Sequence, residues 1–118
     1  MIKKLSESSG NVIGYKAIGT ITASDYLKME PEVRDLVEKV GEIRMLIDLS
    51  EFKWEKIEAW LSDLEFASKF HDRIQRMAIV GDKTWEKWMT YLAKPFYAHD
   101  AKFFYTADID RAWAWLRD

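Results

Sequence analysis

Apolar positions along this chain recur first with a period of two and then with the period of a helix, and the switch repeats. Ile2 to Leu5 suits a short opening strand, and Ser6 to Asn11 is a turn-rich connector. Val12 to Ile21, β-branched and aromatic around Gly14 and Gly19, reads as a second strand. The polar loop between the two predicts an antiparallel hairpin. Thr22 then marks a helix start, with Asp25 placed to complete a capping box. Tyr26, Leu27 and Met29 open that helix, and Pro31 fits its first turn or a break. Val33, Leu36, Val37 and Val40 form one apolar stripe, and Gly41 is a natural stop.

The alternation continues to the end. Ile43 to Leu49 is a nearly unbroken apolar strand, as expected where both faces of a sheet are covered. Ser50 to Lys53 reads as a loop. A long helix is predicted from Trp54 to Phe70, with Ile57, Trp60, Leu61, Leu64, Ala67 and Phe70 on its stripe. Met77 to Val80 is the fourth strand, ended by Gly81. A helix carrying Trp85, Trp88, Met89 and Leu92 follows and stops at Pro95. Ala101 to Tyr105 is the fifth strand. A last helix starts near Asp108 and sets Ile109, Ala112, Trp113 and Leu116 on one stripe, with Trp115 off it. The expected fold is α/β: one mixed five-stranded sheet, mostly parallel, with an antiparallel N-terminal edge strand and helices on both faces. Residues 1–118 are read as a single domain.

Parallel strands share one end, and ligands of such sheets bind at the rim their carboxyl ends form. The loops expected there gather the hydroxyls of Thr22, Ser24, Ser50, Thr84 and Thr106, the ammonium groups of Lys53 and Lys83, and the rings of Trp54 and Trp85. Helix N-termini would add free N–H groups. A small anion with an apolar body suits that mixture. The same hydroxyls, and Asp82, also suit helix capping. The candidate ligand-binding set is Ser50, Lys53, Trp54, Trp60, Lys83, Trp85 and Trp88. Lys53 and Lys83 would draw an anionic head, and the Trp faces would pack on an apolar tail.

Composition narrows the chemistry. With no Cys, thiol nucleophiles, disulfides and thiolate metal sites are excluded. That composition fits a reducing compartment, and Met1 to Glu7 lack the apolar run of a signal peptide, so cytoplasmic, bacterial-type residence is expected. No stretch approaches the roughly 18 apolar residues of a membrane span. The net charge is -2 with the signs interleaved, which argues against nucleic acid as a partner. Gly81-Asp82-Lys83-Thr84 lacks the glycine-rich run of a phosphate loop. The two His, His71 and His99, are each followed by Asp, but adjacent residues of a helix do not face one another. Catalysis is therefore not expected, nor is a metal or cofactor. Six Trp, six Phe and five Tyr are many for one small core. The surplus on helix 54–70 suggests a lid that could expose rings to a membrane surface or a protein partner. The first-strand edge and Trp115 offer further surfaces, including one for a homodimer.

Leu46-Ile47-Asp48-Leu49-Ser50-Glu51-Phe52, then Arg76 to Trp88, and finally Ala112-Trp113-Ala114-Trp115-Leu116 resemble the STAS domain, and more narrowly its SpoIIAA-like branch. That branch is similar in turn to the lipid-binding CRAL-TRIO fold. The resemblance implies a non-catalytic module that binds lipids, nucleotides or proteins. It also implies an alternative role, a protein-interaction regulator of the anti-sigma-antagonist type. Signalling STAS domains carry a phosphorylatable Ser at the helix after the third strand. This chain has Lys53-Trp54-Glu55-Lys56-Ile57-Glu58 in that region, without a hydroxyl. A switch that adds nearly two charges at a helix start loses its acceptor here.

Overall fold

The computed structural model describes residues 1–20, 22–52, 73–82 and 100–118. The strands are β1 (Ile2–Lys4), β2 (Val12–Gly19), β3 (Ile43–Phe52), β4 (Ile74–Gly81) and β5 (Asp100–Tyr105), joined in that order in one sheet. β1 runs antiparallel to β2, and β2 through β5 run parallel. Two helices are described, α1 (Ala23–Val40) and α2 (Ile109–Arg117), the latter entered through a 3-10 turn at Thr106–Asp108. The predicted helices at 54–70 and around 85–94 lie outside the described residues.

Strand alternation sends successive side chains to opposite faces, and each face has its own apolar cluster. On one, Ile13, Tyr15, Met45, Leu49, Met77 and Ile79 pack with Met29 and Val33 of α1. On the other, Val12, Leu46, Ala78 and Val80 pack with Ala112, Trp113 and Leu116 of α2. The helices thus cover both faces, as the unbroken apolar runs of β3 and β4 require.

Two register shifts adjust this pattern. Lys16 pairs with Asp48 but Ile18 pairs with Glu51, so β3 carries an extra residue at Leu49 and Ser50. The bulge lets Leu49 and Phe52 share the α1 face although they stand an odd number of positions apart. Ser50 and Glu51 are therefore strand residues and not the start of a loop: Glu51 and Phe52 stay in the ladder with Ile18 and Gly19, and Ser50 lies in the bulge just before them. A second extra residue, Gln75, lies where Ile43 pairs with Ile74 and Arg44 with Arg76. β4 accordingly begins at Ile74, earlier than the apolar run from Met77 suggests.

α1 starts at the expected cap. The Thr22 hydroxyl accepts the Asp25 N–H at 3.3 Å, and the Asp25 carboxylate accepts the Thr22 N–H at 2.9 Å. These reciprocal bonds satisfy orphan donors of the first turn. The Thr22 N–H and hydroxyl, reinforced by the nearby Met1 ammonium, hold the Asp25 carboxyl below its usual range. Pro31 neither starts nor breaks the helix. It lies on the exposed side, where water can serve the carbonyl that its missing N–H leaves free. Val40, at the last turn, is 42% exposed and falls off the buried stripe.

α2 is held by arginines at its carbonyl end. Arg44 donates through one guanidinium nitrogen to the Leu116 and Asp118 carbonyls at 2.7 and 3.0 Å, and through Nε to the bulged Gln75 at 3.0 Å. Arg76 donates to the Trp115 carbonyl at 2.8 Å. Cations at a helix C-terminus offset both the unpaired carbonyls and the macrodipole. Trp113 of α2 brings Cη2 and Cζ2 of its ring against Gly14 of β2, and Arg117 stands over the ring at 5.1 Å.

Candidate functional site

The carboxyl ends of the four parallel strands form one edge of the sheet. Gly19 lies beside Phe52, Asp48 beside Val80, and Gly81 beside Tyr105. Of the sequence-predicted binding residues, Ser50 stands at this edge, half-buried within β3. Lys53, Trp54, Trp60, Lys83, Trp85 and Trp88 lie outside the described residues. So do Thr84, His71 and His99. Thr22 is engaged in the α1 cap, and Thr106 is exposed at the 3-10 turn beyond β5.

Just below the edge lies a charged group that periodicity alone did not single out. Asp48 is the buried charged residue of the described chain, 5% exposed, on the same face as Leu46. Its Oδ1 accepts the Ser50 N–H at 2.9 Å. The bulge turns that N–H away from the ladder, and the Asp48 carboxyl satisfies it from two residues back, as Asx turns do. Lys16, in register with Asp48 on β2, reaches Glu51 at 2.5 Å. The bonded Glu51 carboxylate holds the Lys16 ammonium above its usual range, with Asp48 adding in the same direction. This lysine is stabilised as a cation, the opposite of what a Schiff-base or general-base lysine needs. The sequence did carry a signal for this group: a lone acid inside an otherwise apolar strand must find partners once both faces are covered.

Trp115, expected as an interaction surface, is half-buried and already has neighbours. Arg76 stands 5.3 Å from its ring centroid, Lys102 5.9 Å, and the Phe104 ring 5.9 Å. Cation–π contact and packing account for its position off the α2 stripe.

An open, mostly parallel sheet with one antiparallel edge strand and helices on both faces defines the class: an α/β module of the open-sheet kind. The SpoIIAA-like family model matches residues 12–117, and the chain belongs to the SpoIIAA-like family. Among solved structures, it is similar to an uncharacterized protein of the DUF3478 family with a SpoIIAA-like fold from Shewanella loihica PV-4. The identity is 29%, the TM-score 0.76, and the match covers 98% of this chain and 93% of that one. A search of curated proteins gives no match. The family expected from the residue pattern is thus shown. Among the described residues no helix is long and apolar enough to cross a membrane.

Proposed function

We propose that this chain is a non-catalytic SpoIIAA-like binding and regulatory module that takes a small amphipathic or anionic ligand at the carboxyl ends of its parallel strands. The observation that carries this reading is the convergence of β2, β3, β4 and β5 on one edge, where open α/β sheets bind their ligands. The sequence places its candidate cations right after two of those exits. Lys53 follows Phe52 directly, and Lys83 stands two residues past Gly81. Lys16, paired and kept charged, supports a binding role over a nucleophilic one.

Native mass spectrometry of the chain purified under mild conditions tests this. The expected result is a small-molecule adduct, or a thermal shift with acyl or nucleotide anions, that is lost when Lys53 and Lys83 are both changed to Glu. A chain that carries no adduct and shifts with none of these anions overturns the reading. So does an adduct equally abundant on the double variant.

A further inference from the structure

A second site is indicated beside the β2 exit, on the face covered by α1. A pocket of 190 Å³ opens between β1, β2 and the first turns of α1, lined by Ile2, Lys4, Tyr15, Asp25, Lys28, Met29 and Glu32. Asp25, Lys28, Met29 and Glu32 recur at spacing three, one and three, so α1 presents them to it as one face. Ile2, buried Met29 and the buried ring of Tyr15 supply its apolar surface.

The charges decide what this pocket can take. Both acids are compensated by other groups. Asp25 accepts the Thr22 N–H and hydroxyl at 2.9 and 3.0 Å. Glu32 accepts the Tyr15 hydroxyl on one oxygen and meets Lys4 at 3.3 Å on the other. Lys28 would ordinarily pair with an acid three residues before it or four after it. Here both are occupied, and the order Lys28 then Glu32 is the weaker one for such a pair. Among the described residues Lys28 forms no hydrogen bond or ion pair. The pocket therefore offers one uncommitted ammonium beside an apolar surface. Its volume is below the roughly 300–1,000 Å³ of sites for drug-sized ligands, which restricts the occupant to a small molecule.

We propose that this pocket binds a short-chain carboxylate, with its head on the Lys28 ammonium and its hydrocarbon against Ile2 and Met29. The site shares no residue with the candidate set at the β3 and β4 exits and stands whether or not that set binds a ligand. Lys28 is exposed, so Lys28→Ala leaves the core intact.

The test is titration of the isotope-labelled full chain with sodium butyrate, inorganic phosphate and butylammonium, followed by backbone amide shifts. Butyrate should shift the Ile2, Lys28 and Met29 amides saturably, and Lys28→Ala should weaken it about tenfold, the scale of one charge-assisted hydrogen bond. Phosphate binding as well as butyrate would overturn the apolar half of the proposal. Preference for butylammonium would overturn its sign. An absence of saturable shifts in the millimolar range, or unchanged butyrate affinity in Lys28→Ala, would overturn it altogether. Shifts confined to Ser50 and Gly81 would assign the carboxylate to the rim instead.

Discussion

Replacing Gly14 by Ala puts the packing of α2 on the sheet to a direct test. Gly14 has no positive φ, so the backbone accepts an Ala. Restricting the unfolded chain would by itself stabilise the fold by about 0.4–1 kcal/mol. The new Cβ, however, would stand 2.3 Å from Cη2 and 2.9 Å from Cζ2 of Trp113, and 3.3 Å from Leu5 Cδ1. Trp113 is 6% exposed, with Arg117 over its ring, so it cannot swing aside without giving up buried surface. Overpacking a close-packed site costs about 1–3 kcal/mol. Expelling the ring would cost more, about 3–5 kcal/mol by analogy with large aromatic truncations. The clash therefore outweighs the entropic gain, and the expected net loss is about 2 kcal/mol. For a chain of this size that lowers Tm by about 8 °C. Urea unfolding followed by circular dichroism and by Trp fluorescence measures it. The same substitution in a Trp113→Leu background isolates the cause, since there the obstructing ring atoms are gone and Gly14→Ala should cost little. A coupling of about 1–2 kcal/mol between the two sites is expected. An unchanged stability for Gly14→Ala alone, or an equal cost in both backgrounds, would refute the argument.

Two further outcomes follow from the strand-end group and from the α1 face. Asp48→Ala should cost about 1–3 kcal/mol by leaving the Ser50 N–H unpaired, whereas Asp48→Asn keeps an acceptor and should cost under about 1 kcal/mol; urea midpoints compare them. Equal losses would mean that the hydrogen bond is not what holds the bulge. Burial, then the hydrogen bond to Glu32, push the Tyr15 hydroxyl above its ordinary value of 10.0. The folded chain then keeps a proton that the unfolded chain releases, so this contribution is intact below about pH 10 and falls as pH rises beyond it. Tyr15→Phe should flatten the loss of urea midpoint above about pH 10. Lys16 keeps part of the slope, because its raised pKa acts with the same sign. An unaltered slope would contradict the placement of Tyr15.

The sheet was legible in the sequence because each strand sits between strong punctuation. Thr22 and Asp25 mark the α1 start, Gly41 its end and Gly81 the β4 exit, and the structure realises all of these. Single-residue register was not legible. In a regular strand Leu49 and Phe52 would face opposite sides, which makes polar Ser50 and Glu51 look like the beginning of a loop. The bulge reverses that parity, and its support, the Asp48 side chain, lies two residues away and shows only in three dimensions. Pro31 misled for a related reason. Its cost depends on whether water can reach the freed carbonyl, which is a property of the helix face and not of the residue. Of the candidate binding residues, Ser50 lies within β3 near its carboxyl end, and the remaining positions lie outside the described residues.

The two faces of the sheet divide labour in a way that bears on where ligands can enter. On the α2 face, guanidinium groups and rings are committed to one another: Arg44 and Arg76 hold helix carbonyls, Arg117 covers Trp113, and Arg76 and Lys102 flank Trp115. A ligand arriving there would have to displace hydrogen bonds that also secure the helix, so that face favours stability over recognition. At the strand-end edge Lys16 is committed to Glu51 and the Asp48 carboxyl to the Ser50 N–H, which fixes the shape of the bulge. In the proposed reading recognition falls to the positions that follow Phe52 and Gly81 in sequence, and to the α1 face, where Glu32 is committed to Tyr15 and Lys4 and Lys28 forms no ion pair among the described residues. Loops and helix surfaces can change without disturbing either core cluster, so this arrangement lets one sheet carry different specificities.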